Sequence, residues 1–199
     1  MALLVLLRHG ESVWNAANRF TGWTDVELSE KGVLEAADAG RQLADTRFDV
    51  CYTSDLVRAQ KTAEIVLALN SASDGIPTHE DWRLNERHYG ALQGLDKDET
   101  RAKHGAEQVH IWRRSYDVAP PDGESLKTCA ERTIPCLEER IIPDLESGKN
   151  VLVAAHGNSL RSIVMHIEGL TREQVLSLEL PTGVPRSYEF ADAEFTRLD

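Results

Sequence analysis

Cysteine is scarce: Cys51, Cys129 and Cys136 are odd in number and form no CxxC pair. A disulfide framework and a zinc site of the usual ligand spacing are thereby excluded, and a reducing compartment is the easier fit. Cys129 and Cys136 stand seven apart, on one face of a helix, and read as core thiols. Long apolar runs are missing too. Residues 1–7 are apolar but fall far short of a membrane span. They lack a basic n-region and the length of a signal h-region, and they run directly into Arg8-His9. The stretch reads as a buried first strand, and the expected location is the cytoplasm. Positive charge is also in deficit, with 22 Lys and Arg against 33 Asp and Glu, a formal net charge of -11. A field of that sign repels nucleic acid and anionic membranes, so neither is an expected partner. An anionic small molecule can bind only where Arg and Lys are concentrated locally. No repeat, low-complexity tract or Gly/Ser linker divides the chain. With 41% hydrophobic content, 199 residues suffice for one sizeable core, so a single domain over residues 1–199 is expected.

What is present is a rhythm of strand followed by helix. Residues 2–7 form a continuous apolar run, as in a strand covered on both faces. Ser29 can cap a helix over about residues 30–44, whose Val33, Ala36, Ala37, Gly40, Leu43 and Ala44 follow the helical period. Residues 49–53 read as a short strand, after which Ser54 caps a helix striped by Leu56, Ala59, Ala63, Val66 and Leu67. Residues 70–124 are polar with weak periodicity. A long helix is expected over residues 125–145, bent or broken by Pro135. Residues 151–155 are the clearest central strand, 158–168 and 172–178 look helical, and 187–190 suit a last edge strand. Alternation of this kind implies a three-layer α/β/α sandwich on a mostly parallel sheet. Ligands bind such sheets beyond the C-terminal strand ends. Two strands here end alike, one in Arg8-His9-Gly10 and one in His156-Gly157-Asn158, and as neighbours they would place both histidines in one crevice.

A neutral imidazole has one nitrogen free to attack when the other donates its proton to a backbone carbonyl. Gly10 would let a tetrahedral group approach the backbone, and Arg8 offers a planar fork for phosphate oxygens. Arg58, one turn into the helix after the 49–53 strand, can fold back over the strand ends. Alone it reads as a solvated helix arginine. With Arg8, His9 and His156 it completes a cationic box for one phosphoryl group, whose transfer depends mainly on position and charge neutralisation. No GxxxxGK[ST] loop or HExxH motif points to a metal, and Asp96-Lys97-Asp98 does not follow an apolar strand. No metal cofactor is expected. Departure of an alkoxide needs a proton, which a carboxylic acid in line can give. Glu86 is the candidate, although its residue type alone leaves it open between that role and one more exposed glutamate. Arg113-Arg114, with Lys97 and Trp112 nearby, could bind a second anionic group such as a carboxylate.

The stretch Leu7-Arg8-His9-Gly10-Glu11-Ser12 resembles the RHG signature of the histidine phosphatase superfamily. Its continuation is more specific: Trp14-Asn15, then Asn18-Arg19-Phe20-Thr21-Gly22-Trp23, then Leu28-Ser29-Glu30-Lys31-Gly32. Together with Arg58-Ala59, residues 84–94, Trp112-Arg113-Arg114, residues 154–161 and residues 180–185, it is similar to the cofactor-dependent phosphoglycerate mutase family over almost the whole chain. That resemblance implies a phosphoglycerate mutase-like fold and interconversion of 2- and 3-phosphoglycerate in glycolysis and gluconeogenesis, primed by 2,3-bisphosphoglycerate. It implies His9 as the phosphorylated nucleophile and Glu86 as general acid and base. Arg8, Arg58 and His156 would stabilise the phosphoryl group, with Asn15, Gly157 and Asn158 nearby. Ser12, Thr21, Gly22, Arg87, Tyr89, Lys97, Arg113 and Arg114 would hold the glycerate backbone, its carboxylate or the second phosphate.

Two stretches are shorter than in longer members of that family: residues 120–125 pass quickly into the following helix, and little chain follows Phe190. Both would flank the site mouth or subunit contacts, and the expected state is a monomer or small homo-oligomer. A mouth that admits water would hydrolyse a phosphohistidine. The alternative function is therefore a phosphatase on small phosphorylated metabolites using the same histidine. A non-catalytic phospho-ligand binder is a third reading, opposed by the presence of both His9 and Glu86, since a binder needs no proton donor.

Overall fold

The computed structural model describes residues 1–198. Its strands are β1 (Ala2–Arg8), β2 (Val50–Thr53), β3 (Thr78–Glu80), β4 (Val151–Ala155), β5 (Pro185–Ala191) and β6 (Glu194–Arg197). They form one sheet in the order β3-β2-β4-β1-β5-β6. The first four are parallel, β5 pairs antiparallel with β1, and β6 antiparallel with β5. The helices are α1 (Val13–Ala16), α2 (Glu30–Gln42), α3 (Val57–Leu69), α4 (Lys97–His104), α5 (Ala106–Arg114), α6 (Leu126–Cys136), α7 (Ile142–Glu146), α8 (Gly157–Glu168) and α9 (Arg172–Ser177).

Strand alternation sorts the core into two layers. Leu4 and Leu6 of β1 join Val151, Val153 and Ala155 of β4, packed with Leu160, Ile163 and Val164 of α8. Val5 and Leu7 join Leu152 and Ala154 on the opposite face, against Ala39 of α2 and Ala63 and Val66 of α3. This is the three-layer α/β/α sandwich, and it explains why β1 and β4 are apolar at successive positions. Each fully buried Leu, Ile or Val contributes about 1.5–3 kcal/mol of transfer free energy. Among the described residues no helix is long and apolar enough to cross a membrane.

The structure departs from the sequence expectations at several points. Helix α2 starts at Glu30, with Ser29 Oγ accepting from Gly32 N at 3.1 Å, but stops at Gln42. Ser54 does not cap α3, whose first residue is Val57. The Ser54 side chain is buried and bonds His156 Nε2 at 2.7 Å instead. The polar stretch before Glu124 holds β3, α4 and α5. The long helix is interrupted: α6 runs through Pro135 to Cys136, a π turn spans Leu137–Ile141, and α7 follows. Proline lacks the N–H of a regular helical ladder, and the wider turn lies immediately after it. Strand β5 is internal, flanked by β1 and β6. The β5–β6 hairpin turns on Asp192 and Ala193, both left-handed at φ 52° and 63°, as a two-residue primed turn demands.

One feature of the topology places the site. Strands β1 and β4 are parallel neighbours in register, with Arg8 opposite Ala155. The next residue on each strand is a histidine, and His9 N still donates to Ala155 O at 3.0 Å.

Candidate active site

The two imidazoles meet beyond those strand ends, with ring centroids 4.9 Å apart. His9 Nδ1 bonds Gly10 O at 2.6 Å. A carbonyl can only accept, so Nδ1 carries the proton and Nε2 keeps its lone pair. Arg58 Nε donates toward that nitrogen at 3.4 Å. Burial above all, then the charges of Arg58 and Arg8, holds the His9 imidazole well below its ordinary titration range. The ring is therefore neutral near pH 7. Burial, then Arg58 and His9, does the same to His156.

Gly10 does not leave the open approach expected from its sequence position. A Cβ there would lie 2.1 Å from Gly32 O, so the missing side chain serves the contact with the first turn of α2. Its N–H is taken by Thr62 Oγ1 at 3.1 Å. The close packing holds His9 rather than making room beside it.

Arg58 is 1% exposed. Its Nη2 donates to Gly22 O at 2.7 Å and its Nη1 to Thr24 O at 3.1 Å, which lock the guanidinium against the 20–24 loop. Burial lowers its pKa to about 10, still far above neutrality, so the charge remains. Arg8 Nη1 donates to Leu180 O at 2.9 Å, while its buried Nε has no protein partner. The buried Nδ1 of His156 and Oγ1 of Thr21 are likewise unpartnered. Unmet polar atoms in one crevice mark a place where a polar ligand completes the hydrogen bonding.

Glu86 faces the histidines from the loop after β3. Its Oε1 accepts from Arg87 N at 2.7 Å, Asn158 N at 3.1 Å and Asn158 Nδ2 at 3.0 Å. Two of these donors belong to the first turn of α8, where free N–H groups favour an anion. The loop itself is held by Arg132, a residue that sequence reasoning passed over. Its Nη1 donates to Arg83 O at 2.8 Å and Asn85 O at 2.9 Å, and its Nη2 to Glu86 O at 2.9 Å. Arg132 also pairs in a fork with Glu124, at 2.8 Å on each arm. Trp23 Nε1 adds a 2.5 Å bond to Glu86 O.

These groups line a cavity of about 760 Å³, open mouth included. Its wall contains Arg8, His9, Asn15, Thr21, Gly22, Arg58, Glu86, Tyr89, Lys97, Arg113, Arg114, Gly157 and Asn158 from the sequence-derived set, with His156 beneath. Ser12 and Arg87 lie behind it. Ser12 caps α1, accepting from Asn15 N at 3.1 Å. Arg87 is buried and donates to Trp112 O at 3.0 Å and Arg113 O at 3.2 Å, fixing the end of α5 that carries Arg113 and Arg114. Asp96 caps α4, and Asp98 pairs with Arg101, which accounts for the DxD pattern. The wall also holds Arg19, Arg161 and Glu179, to which sequence reasoning gave no role. Six arginines and Lys97 thus face two glutamates in a chain of net charge -11. Burial, then Arg113, lowers the pKa of Lys97, the mark of a site with surplus positive charge.

The pattern of the histidine phosphatase superfamily (branch 1) matches residues 4–197. The chain belongs to that superfamily. Among members of this superfamily, the chain is 48% identical to the 2,3-bisphosphoglycerate-dependent phosphoglycerate mutase of Protochlamydia amoebophila, over 99% of each protein. It is 51% identical to the protein of the same name from Zymomonas mobilis, over 96% of this chain and 94% of that one. A solved mycobacterial glucosyl-3-phosphoglycerate phosphatase superposes with a TM-score of 0.85 at 28% identity, covering 99% of this chain and 97% of its own. The Protochlamydia alignment runs over 223 positions against 199 residues here, so at least 24 of its positions have no counterpart in this chain.

Proposed function

We propose that the chain interconverts 2- and 3-phosphoglycerate through a phosphohistidine at His9, with 2,3-bisphosphoglycerate as primer. One observation carries this reading. A buried neutral histidine, its Nε2 lone pair beside Arg58, lines a cavity of guanidinium groups that also holds the carboxyl of Glu86. The mutase relatives at 48% and 51% identity support the same activity.

The cavity fits a doubly phosphorylated carboxylate. Seven cationic side chains line it, and Arg8 Nε, Thr21 Oγ1 and His156 Nδ1 lack protein partners. Arg8, Arg58 and His156 would hold one phosphoryl group, and Lys97, Arg113 and Arg114 the distal anionic groups, beside Tyr89. When bound, 2,3-bisphosphoglycerate supplies the phosphoryl group that charges His9. The residues then act on substrate as follows. His9 Nε2 would attack the phosphoryl group, while the proton stays on Nδ1, hydrogen-bonded to Gly10 O, as positive charge develops on the ring. Arg58 and Arg8 neutralise the charge spread over the phosphoryl oxygens. Glu86 gives a proton to the departing alkoxide and takes one from the attacking hydroxyl in the return transfer. Asn158 and Arg87 N hold its carboxyl in place. The reading also places the protein in the cytoplasm, with a small phosphorylated metabolite as its partner.

A second reading, a phosphatase using the same phosphohistidine, is favoured by the alignment positions this chain lacks and by its end-to-end match to a solved phosphatase. One assay separates them. The protein is incubated with 3-phosphoglycerate, catalytic 2,3-bisphosphoglycerate and a chelator, and 2-phosphoglycerate is followed against free phosphate. The mutase reading expects 2-phosphoglycerate to dominate and its formation to depend on the bisphosphate. Dominant phosphate release would establish the second reading.

A further inference from the structure

Of the two acidic side chains in the cavity wall, Glu86 has its role in proton transfer and Glu179 has none. Glu179 does not stand there by accident of a loose loop. The carbonyls on either side of it are both clamped by cavity arginines: Leu178 O accepts from Arg161 Nε at 3.0 Å, and Leu180 O from Arg8 Nη1 at 2.9 Å. Leu180 is itself buried in the core, which fixes the segment on the apolar side. Between the clamps the Glu179 side chain projects into solvent at the mouth, 74% exposed, with Oε1 3.8 Å from Arg114 Nη2. Arg114 is half-buried and is one of the cations that the proposed function gives to the substrate's distal anionic group.

We propose that Glu179 is a specificity-determining residue that competes with the substrate's second anionic group for Arg114. This inference rests on the assignment of Arg113 and Arg114 to that group. An exposed ion pair at this separation is weak and easily exchanged. An incoming carboxylate or second phosphate displaces it, and Arg114 exchanges one anion for another. A phosphomonoester with no second anion leaves the pair intact and owes nothing to it. Glu179 therefore lowers the affinity for doubly anionic ligands selectively and restrains a strongly cationic cavity from holding them too long. Arg114 passes the effect on, so Glu179 acts as a positioning residue and not a catalytic one.

The test uses two ligands that differ in one charge, 3-phosphoglycerate and glycerol 3-phosphate. Binding of both is measured by calorimetry in a His9→Gln background, where no turnover intervenes, with and without Glu179→Gln. The same titrations on the wild-type pair check that the His9 substitution has not altered the mouth. Glu179→Gln is expected to tighten 3-phosphoglycerate roughly two- to fivefold more than glycerol 3-phosphate, the range of a weak exposed ion pair. Added Arg114→Gln is expected to abolish that difference, an effect that a purely structural role for Glu179 would not produce. Equal changes for both ligands, no change, or a difference that survives Arg114→Gln would overturn the inference while leaving the proposed function standing. Failure of 3-phosphoglycerate to bind any of the proteins would overturn both, and failure of glycerol 3-phosphate alone would overturn the inference.

Discussion

Lowering the pH from 7 to 5.5 should cost this protein far more stability than an ordinary surface histidine would explain. His9 and His156 are both buried against guanidinium groups, and both titrate well below the ordinary value of 6.5. In the unfolded chain each gains a proton as the pH passes 6.5, whereas in the folded protein each stays neutral. The unfolded state then binds more protons, so stability is full above pH 6.5 and lost as the pH falls toward the folded values. Each such group contributes a slope of up to about 1.4 kcal/mol per pH unit, so the pair costs about 2–3 kcal/mol over the unit below 6.5. That is a large share of the roughly 5–15 kcal/mol that holds a domain together. Shifted carboxylates act differently: Asp55, raised by burial and then by Asp81, takes its proton first in the folded protein and opposes the loss. Asp81, Glu124, Asp144 and Glu168 are held below ordinary values of 3.8 and 4.5, so their contribution is lost only at lower pH. Urea unfolding at pH 7.5, 6.5, 6.0 and 5.5 measures the effect in the wild type and in the single variants His9→Gln and His156→Gln. Each variant should remove about half of the slope, since the other histidines are common to all three proteins. A wild-type stability that is flat across the window, or a slope unchanged in both variants, would refute the reasoning.

Arg132 offers a second perturbation. Arg132→Met takes the guanidinium from Glu124 and three loop carbonyls, leaving Glu86 O with Trp23 Nε1, Arg83 O with Thr133 Oγ1 and Glu124 with His88 N. The expected loss is about 3–5 kcal/mol in urea unfolding, with part recovered in Arg132→Lys; a loss below about 1 kcal/mol would show that the loop is held by something else. Glu86→Gln keeps the shape of the carboxyl but not its proton, and kcat for isomerisation should fall about 10²–10⁴-fold. A fall of less than tenfold, measured by coupled assay at saturating substrate, would place the proton transfer elsewhere.

How far the sequence could be read depended on where each element finds its partners. Strands β1 and β4 were legible because both faces are buried and the apolar run is unbroken. Their matching histidine-glycine ends would share a crevice only if the strands were neighbours, and the structure places them so. Helices α4 and α5 were not legible, because a mostly exposed helix has little apolar stripe to show. The one available signal is the Asp96 cap with Glu99 three residues on. Ser54 misled for the opposite reason: a cap residue in sequence was drawn inward by His156. The β5–β6 turn escaped notice because Asp-Ala is an unusual pair for two left-handed residues. In the site, Arg8, His9, Arg58 and His156 could be assembled from strand ends and helix spacing. Glu86 could not, because its partners come from Asn158, 72 residues away in sequence. Arg132 holds the Glu86 loop through backbone carbonyls, and no side-chain pattern announces such a role.

The central claim is that one ring nitrogen of one histidine carries the phosphoryl group. It is tested most directly by ³¹P and ¹⁵N NMR of protein treated with 2,3-bisphosphoglycerate. Because Nδ1 is committed to Gly10 O at 2.6 Å, an acid-labile phosphoryl group is expected on Nε2 of His9 and is expected to be missing from His9→Gln. Phosphorylation at Nδ1, or a label that persists in His9→Gln, would contradict the account.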